Sequence, residues 1–251
     1  MTHGAAVPAD PRSSRGGEPV ASRIAVVIPA YEAAGSIGDV VRRTQAFLPR
    51  VIVVDDGSTD GTGLRAEEAG ARVLSHRSNR GKGAALRTAF QRLREEALEG
   101  IITLDADGQH DPADIPRFVE AFRRTGADLI VGSREKAFPQ MSRGRRFGNR
   151  FSSSALLFFS GLRIADSQSG FRFYSVAFLK GISLRAEAYD AEMELLLKAA
   201  AGGYRVTSLP LANVIADGRV GSHYRPWLDT YRICACVLRY SLRRRLLGRK
   251  A

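Results

Sequence analysis

Leu104-Asp105-Ala106-Asp107-Gly108-Gln109-His110-Asp111-Pro112 follows directly on the apolar run Ile101-Ile102-Thr103, and its reading decides the fold. A buried strand that breaks off in Asp-x-Asp-x-Gln reads as a sheet edge delivering oxygen atoms into a crevice. Alternate side chains of an extended segment share a face, so Asp105, Asp107 and Gln109 can point the same way. Oxygen donors of this kind suit a hard divalent cation, Mg²⁺ or Mn²⁺. A solvated turn fits the same residues, because Asp and Gly are ordinary turn formers. The neighbouring stretches have to separate the two.

Working outward, strand and helix patterns alternate. Arg23 to Pro29 is an apolar strand stopped by proline, and Ser36 stands where an N-cap would open a helix to about Phe47. Val51 to Val54 is a second strand, running into Asp55-Asp56-Gly57-Ser58-Thr59-Asp60-Gly61 and a helix that ends near Gly70. Arg72 to Leu74 makes a third strand, Lys82 to Ala97 a helix, and Gly100 to Leu104 the strand before the acidic run. Asp111-Pro112 has the form of an N-cap with proline at the first helical position, opening a helix to about Arg124. Asp128 to Val131 is a fifth strand, followed by Gly132-Ser133-Arg134. Such alternation predicts an α/β domain, a mostly parallel sheet flanked by helices on both faces. Ligands then bind beyond the carboxyl ends of the strands, where Tyr31-Glu32, Asp55-Asp56, Asp105-Asp107 and Ser133-Arg134 all fall.

The second half is less regular. Lys136 to Arg145 reads as a polar, basic loop. Arg146 to Leu162 reads as a helix whose middle, Ala155 to Phe159, is apolar nearly all round, which suits burial or contact with lipid. Asp166-Ser167-Gln168-Ser169-Gly170 leads into a strand at Phe171 to Tyr174. Ala191 to Ala201 is a helix ended by Gly202-Gly203, Tyr204 to Leu209 a strand, and Trp227 to about Leu247 a final helix.

The 251 residues, 44% of them hydrophobic, are enough for one large domain. The net charge of +12 is concentrated in two places: +5 between Arg134 and Arg150, and +7 between Arg225 and Ala251. Localised positive charge implies anionic partners there, whether phosphate groups, anionic lipid or nucleic acid. Cys234 and Cys236 lie two apart on different helix faces, unsuited to a disulfide or a metal site, so a cytoplasmic location is expected. Residues 1–22 are rich in Pro, Gly, Ser and Ala and read as a disordered leader without a signal-peptide core. No apolar run approaches the roughly 20 residues of a membrane span. In the last helix Trp227, Tyr231, Cys234, Leu238 and Leu242 form an apolar stripe, with Arg232, Arg239 and Arg243 beside it. That pattern suits a helix lying on an anionic membrane, and equally one packed on the domain with a solvated basic face.

Paired carboxylates with positive charge nearby suggest a phosphorylated substrate bridged by a metal. The ion stabilises charge developing on a nucleoside-diphosphate leaving group, with Arg134 and the basic loop as further clamps. Asp56, at its strand end, is placed to accept hydrogen bonds from a base or ribose, or to serve the turn. A phosphate acceptor needs no strong general base, since it is mostly dianionic near neutral pH. A hydroxyl acceptor would want a carboxylate, and Asp166 is the candidate for that role or for a structural contact near the metal. His110 reads as a loop residue.

Taken together, VVIPAYEAAGSI, VIVVDDGSTDGT, NRGKGAAL, LDADGQHDP, LIVGSR, GNRF and DSQSGFR resemble family 2 glycosyltransferases, and among them the dolichyl- or polyprenyl-phosphate mannose and glucose synthases. The resemblance spans about Arg23 to Arg225. It implies a GT-A type nucleotide-diphospho-sugar transferase fold over 23–225, a nucleotide-binding half (23–134), an acceptor half (135–225) and a basic amphipathic tail (226–251). The implied reaction is an inverting, metal-assisted transfer of a hexose from GDP-mannose or UDP-glucose to a polyprenyl or dolichyl phosphate. By position, Pro29, Tyr31, Glu32, Val54 and Asp56 become the nucleotide pocket. Asp105, Ala106, Asp107 and Gln109 become the metal-diphosphate site, and Arg134 a phosphate contact. Arg219 resembles the arginine of a late loop that closes over the nucleotide, with His223 where the family has a lysine. Arg145, Arg146 and Asn149 resemble the acceptor-phosphate side. Such an enzyme would work at the cytoplasmic membrane face, peripherally or held by a membrane partner protein. The nearer rival is transfer to a soluble, glycan or protein acceptor.

Other classes fit less well. A dinucleotide-dependent oxidoreductase needs Gly-x-Gly-x-x-Gly after the first strand, where this chain has Pro29-Ala30-Tyr31-Glu32-Ala33-Ala34-Gly35. A phospho-receiver carries its acidic pair after strand one, and a nucleotidyltransferase a glycine-rich basic loop there. A non-enzymatic nucleic-acid binder would exploit the pI of 10.4, but the acidic loops would repel a polyanion and the remainder of the chain is neutral.

Overall fold

A computed structural model describes residues 23–188 and 190–212 and, beyond them, Cys236, Val237 and Tyr240. The segments expected as leader and as C-terminal helix therefore lie outside the described residues, as do Arg219, His223 and the Trp227 stripe, apart from those last three positions.

The strands β1 (Ile24–Ala30), β2 (Val51–Asp55) and β4 (Gly100–Thr103) are buried along their whole length. They are continuous apolar runs because helices cover both faces. With β3 (Arg72–Ser75), β5 (Leu129–Ser133), β6 (Arg172–Ser175) and β7 (Val206–Pro210) they form one seven-stranded sheet ordered β3-β2-β1-β4-β6-β5-β7. All neighbours pair in parallel except β6, which runs antiparallel to both β4 and β5. This mostly parallel sheet is the α/β architecture expected, with one reversed strand that hydropathy does not reveal.

The reversal positions the site. The loops after β1, β2, β4 and β5 leave the same rim, and β6, running backwards, begins there. Arg172 at its start stands beside Thr103 of β4 and Val131 of β5. The 166–170 loop is thereby delivered onto the rim, and the Thr103 hydroxyl holds it by donating to the Gly170 carbonyl at 2.8 Å.

Helices α1 (Ile37–Gln45), α2 (Thr62–Glu68) and α4 (Ile115–Thr125) cover one face, burying Ile37, Val40, Val41, Ala66, Ile115 and Phe118 against β1 and β2. On the other face α3 (Lys82–Leu93), α5 (Arg143–Ser160), α6 (Val176–Gly181) and α7 (Ala191–Ala201) bury Ala85, Leu86, Leu156, Val176 and Leu195. Cys236 and Val237 join this second core.

Several local expectations change. Ser36 precedes α1 but makes no side-chain cap; its hydroxyl donates instead to the Ala106 carbonyl at 2.7 Å, tying α1 to the acidic loop. Asp111 does cap, accepting from the Ala113 N–H at 3.1 Å, but the turn it opens (Pro112–Asp114) is 3₁₀ before α4 begins. α3 stops at Leu93, not Ala97. The expected loop over 136–145 contains a 3₁₀ helix, Glu135–Gln140, and the first residues of α5, which Ser142 caps. The apolar middle of α5 is only part-buried: Leu156 is enclosed, whereas Leu157 and Phe158 are 39% and 82% exposed.

Candidate active site

Asp105 leaves the end of β4 between two helices of the second core. One of its carboxylate oxygens is 2.6 Å from Lys82 Nζ in the first turn of α3, and the other is 3.4 Å from His110 Nε2. The same ammonium lies 2.6 Å from Glu192 Oε1 at the start of α7. Gly83 lets α3 come this close: a Cβ there would strike the Ala186 carbonyl, in the segment that leads to α7. Burial alone would raise Asp105's pKa, but the Lys82 ammonium and His110 outweigh it and hold the carboxyl far below the usual range. Burial would likewise lower Lys82, and its two carboxylates instead push it well above the ordinary lysine value. Asp107 behaves in the opposite way. Burial raises its carboxyl and the Asp105 charge raises it further, only partly offset by the Gln109 N–H donating at 3.0 Å. The Asp105 charge thus makes the ionised form of Asp107 costly, a cost that a cation beside it would relieve.

Arg134 and Asp166 form the second element. Asp166 is fully buried and receives three N–H groups of Arg134: backbone N at 3.0 Å, Nε at 2.7 Å and an Nη at 3.0 Å. Burial pulls Asp166 up, but the guanidinium overrides it and holds the carboxyl below its ordinary value. With its oxygens engaged this way, Asp166 holds Arg134 in place. Arg172, wholly buried in β6, fixes the surrounding loop by donating to the carbonyls of Ser167 and Ser169 at 2.7 Å and of Glu192 at 2.9 Å.

On the nucleotide side, Tyr31 stands open at the rim, 36% exposed. Glu32 adopts a left-handed backbone (φ 48°), stabilised by the Ser58 hydroxyl on its N–H and by its carboxylate accepting from Thr59 N at 2.7 Å. Asp56 is buried. It accepts from Gly81 N at 2.7 Å and Arg80 N at 3.1 Å and pairs with His76 Nδ1 at 2.6 Å, while His76 Nε2 meets the Thr88 hydroxyl. Asp56 thus organises the 76–81 loop. Pro29 and Val54 face each other within the sheet, and the Val54 side chain belongs to the core. Ala106 is buried, its carbonyl taken by Ser36.

On the acceptor side, Arg145 is exposed and Arg146 half-exposed near the start of α5. Asn149 differs from expectation. It is 2% exposed and its amide nitrogen donates inward to the Ala165 carbonyl at 3.4 Å. Together with Ser152 and Ser153, both bonded to Ser167, its amide nitrogen braces the 165–167 loop.

Residues 25–182 match the family described as Glycosyl transferase family 2. This chain is a family 2 glycosyltransferase. It is 30% identical, over 77% of its length and 86% of the relative's, to a UDP-N-acetylglucosamine–dolichyl-phosphate N-acetylglucosaminyltransferase of Methanococcus voltae. An undecaprenyl-phosphate mannosyltransferase of Micrococcus luteus is 30% identical over 76% of this chain and 84% of its own. A polyprenol monophosphomannose synthase of Mycolicibacterium smegmatis is 29% identical, over 82% and 84%. Among solved structures, glucosyl-3-phosphoglycerate synthase from Mycobacterium tuberculosis, in complex with Mg²⁺ and UDP, superposes with a TM-score of 0.69 at 23% identity. That superposition covers 90% of this chain and 85% of the other, and shares the GT-A fold.

In this family 2 enzyme the sequence reading missed Lys82 and Glu192. Each sits in the first turn of a helix, where a charged residue ordinarily faces solvent; only the packing of α3 against α7 brings them to Asp105. Gly170 offers a test. A Cβ there would strike the Asp105 carboxylate and come within 2.7 Å of Lys82 Nζ. Both obstacles are side-chain ends, so Gly170→Ala should leave the fold standing while displacing Asp105. A metal titration should then show weaker binding, roughly tenfold, as expected for disturbing the support of a ligand; unchanged affinity would remove Asp105 from the cation site.

Proposed function

We propose that this glycosyltransferase moves a hexose from a nucleotide-sugar, GDP-mannose or UDP-glucose, to a polyprenyl phosphate with inversion at the anomeric carbon. The carrying observation is the rim itself. An acidic pair in which Asp107 has no salt bridge among the described residues lies near an arginine locked in place by Asp166, so a diphosphate and its metal find opposite charges already oriented. Among the described residues no three His, Cys, Asp or Glu side chains converge as a cage. That suits Mg²⁺ or Mn²⁺, which bind through one or two carboxylates and complete their shell with phosphates and water. Asp105 and Asp107, with Gln109, would hold the ion. When bound, the metal supplies Lewis-acid stabilisation of the departing diphosphate.

The chain's own residues do the remainder. Tyr31 and Glu32 face the base and ribose, and Asp56 shapes the loop beside them. Arg134, unable to lose its proton and held rigidly, contacts a phosphate without paying to reorient. Arg145 and Arg146 receive the acceptor phosphate and aim one of its oxygens at the sugar carbon. As that C–O bond forms, the bond to the nucleoside diphosphate breaks, with no proton to remove from the dianionic acceptor. This economy explains why Asp166 can be committed to Arg134. The relatives' names supply the acceptor class, and the positive segment between Arg134 and Arg150 supports it.

The test incubates the protein with polyprenyl phosphate, Mg²⁺ or Mn²⁺, and labelled GDP-mannose or UDP-glucose in parallel. The expected product extracts into organic solvent and is labile to mild acid. Label appearing only in water-soluble sugar products would assign a soluble acceptor instead.

A further inference from the structure

Outside the rim, among the described residues, α5 departs most from ordinary surface chemistry. This 18-residue helix buries Gly148, Asn149, Ser152 and Leu156, yet leaves Phe147, Phe151 and Phe158 66%, 47% and 82% exposed, with Leu157 at 39%. At 3.6 residues per turn the three phenylalanines fall within a narrow arc of the outer face. Phe147 and Phe151 lie alongside each other, ring centroids 6.3 Å apart. Arg143 and Arg150 flank the rings on the same outer face, Arg146 lies farther round the helix and Arg145 near its inner side, and no acidic residue occurs between Arg143 and Ser160. Phenylalanine has no polar atom to reward exposure to water, and a run of them on one helix face marks a docking surface.

We propose that this face of α5 docks flat on an anionic lipid bilayer, the phenyl rings entering the headgroup–acyl boundary and the arginines meeting lipid phosphates. A protein partner of acidic character would satisfy the arginines but would not call for three exposed phenylalanines on one face. A nucleic acid would not either. Rings plus flanking arginines match the interface of a membrane, where apolar burial and attraction to anionic lipid add. No described helix is long and apolar enough to cross a membrane, so the contact is a surface one.

The inference deepens the polyprenyl-phosphate reading and rests on it for its purpose. An acceptor whose chain stays in the bilayer presents its phosphate at headgroup depth. The opposite face of α5 is bonded, through Asn149, Ser152 and Ser153, to the 165–167 loop that carries Asp166. A helix is about 10 Å across. Docking its outer face therefore sets Arg134 one helix thickness above the lipid surface.

The experiment is co-flotation of the full chain with vesicles of phosphatidylcholine alone and of phosphatidylcholine with phosphatidylglycerol, containing no polyprenyl phosphate. The wild type should bind the anionic vesicles, and binding should weaken as salt rises. The combined variant Phe147→Ser, Phe151→Ser, Phe158→Ser should bind at least ~10-fold more weakly, given the apolar area withdrawn, with an unchanged melting curve. Arg143→Glu with Arg150→Glu should abolish the preference for anionic vesicles. Wild type that does not float, or a phenylalanine variant that floats equally well, overturns the proposal. So does a wild-type dimer that this variant dissociates without loss of flotation, since the face would then belong to a second copy. Transfer to a short-chain polyprenyl phosphate dispersed in detergent separates the two claims. Retained transfer with failed docking leaves the acceptor reading standing, and docking without transfer leaves the surface without that acceptor.

Discussion

Asp107→Ala is expected to lower turnover by about a thousandfold, the loss of ~4 kcal/mol of transition-state stabilisation that a misplaced or missing divalent ion entails. The fold should not suffer. Asp107 titrates above its ordinary value because it is buried beside the Asp105 charge, so its ionised form is a cost to the metal-free protein at neutral pH. Removing it should leave the melting temperature of the metal-free protein unchanged or slightly higher. In the wild type, Mg²⁺ or Mn²⁺ with GDP or UDP should raise that temperature, because a ligand that binds only the native state stabilises it; in Asp107→Ala the rise should disappear. Steady-state kinetics and thermal melts on the same samples check both parts. Near-normal turnover would take Asp107 out of the metal site.

Asp166→Asn should strike stability and activity together. Asp166 is buried with three N–H groups of Arg134 on its oxygens, and taking one partner from a buried ion pair costs about 3–5 kcal/mol because the other charge is left uncompensated. For a chain of this size that is roughly 10 °C of melting temperature. The sign of the pH dependence follows from the direction of the shift. Asp166 is held below its ordinary value near 3.8, so its contribution is complete above that value and is lost as pH falls through the lower, folded one. Urea unfolding of wild type and variant should therefore differ by a constant amount near neutral pH and converge in acid. A gap independent of pH would mean that the asparagine fails for reasons of packing. If instead Asp166 served as a general base, the variant would lose turnover with little loss of stability.

The catalytic rim was legible because its loops follow strands that are apolar without interruption. β1, β2, β4 and β5 announce themselves, and in a parallel sheet their polar exits must share one edge. Asp105, Asp107 and Arg134 were therefore placeable from pattern alone. What stayed hidden depends on the third dimension. Lys82 and Glu192 meet at Asp105 only because α3 and α7 pack side by side. Val54, expected beside the nucleotide by position, lies in a strand flanked on both sides, which packs its side chain into the core. Ser36 satisfies every sequence criterion for a cap, but the Ala106 carbonyl lies nearer to its hydroxyl's purpose. In α5, a short apolar run cannot say which of its residues face inward, and the helix turned two of them out.

The reversed strand β6 has a consequence for how the chain folds. Among the described residues β5 does not pair with β4; it enters the sheet through β6 on one side and β7 on the other. A polypeptide ending near residue 134 would thus contain β5 with no strand to pair with, its edge unsatisfied and its apolar side chains bare. The segments before and after residue 134 are therefore not separable modules joined by a linker. They are interleaved in one sheet, so the strands of the first half find their full pairing only after β6 and β7 have been made.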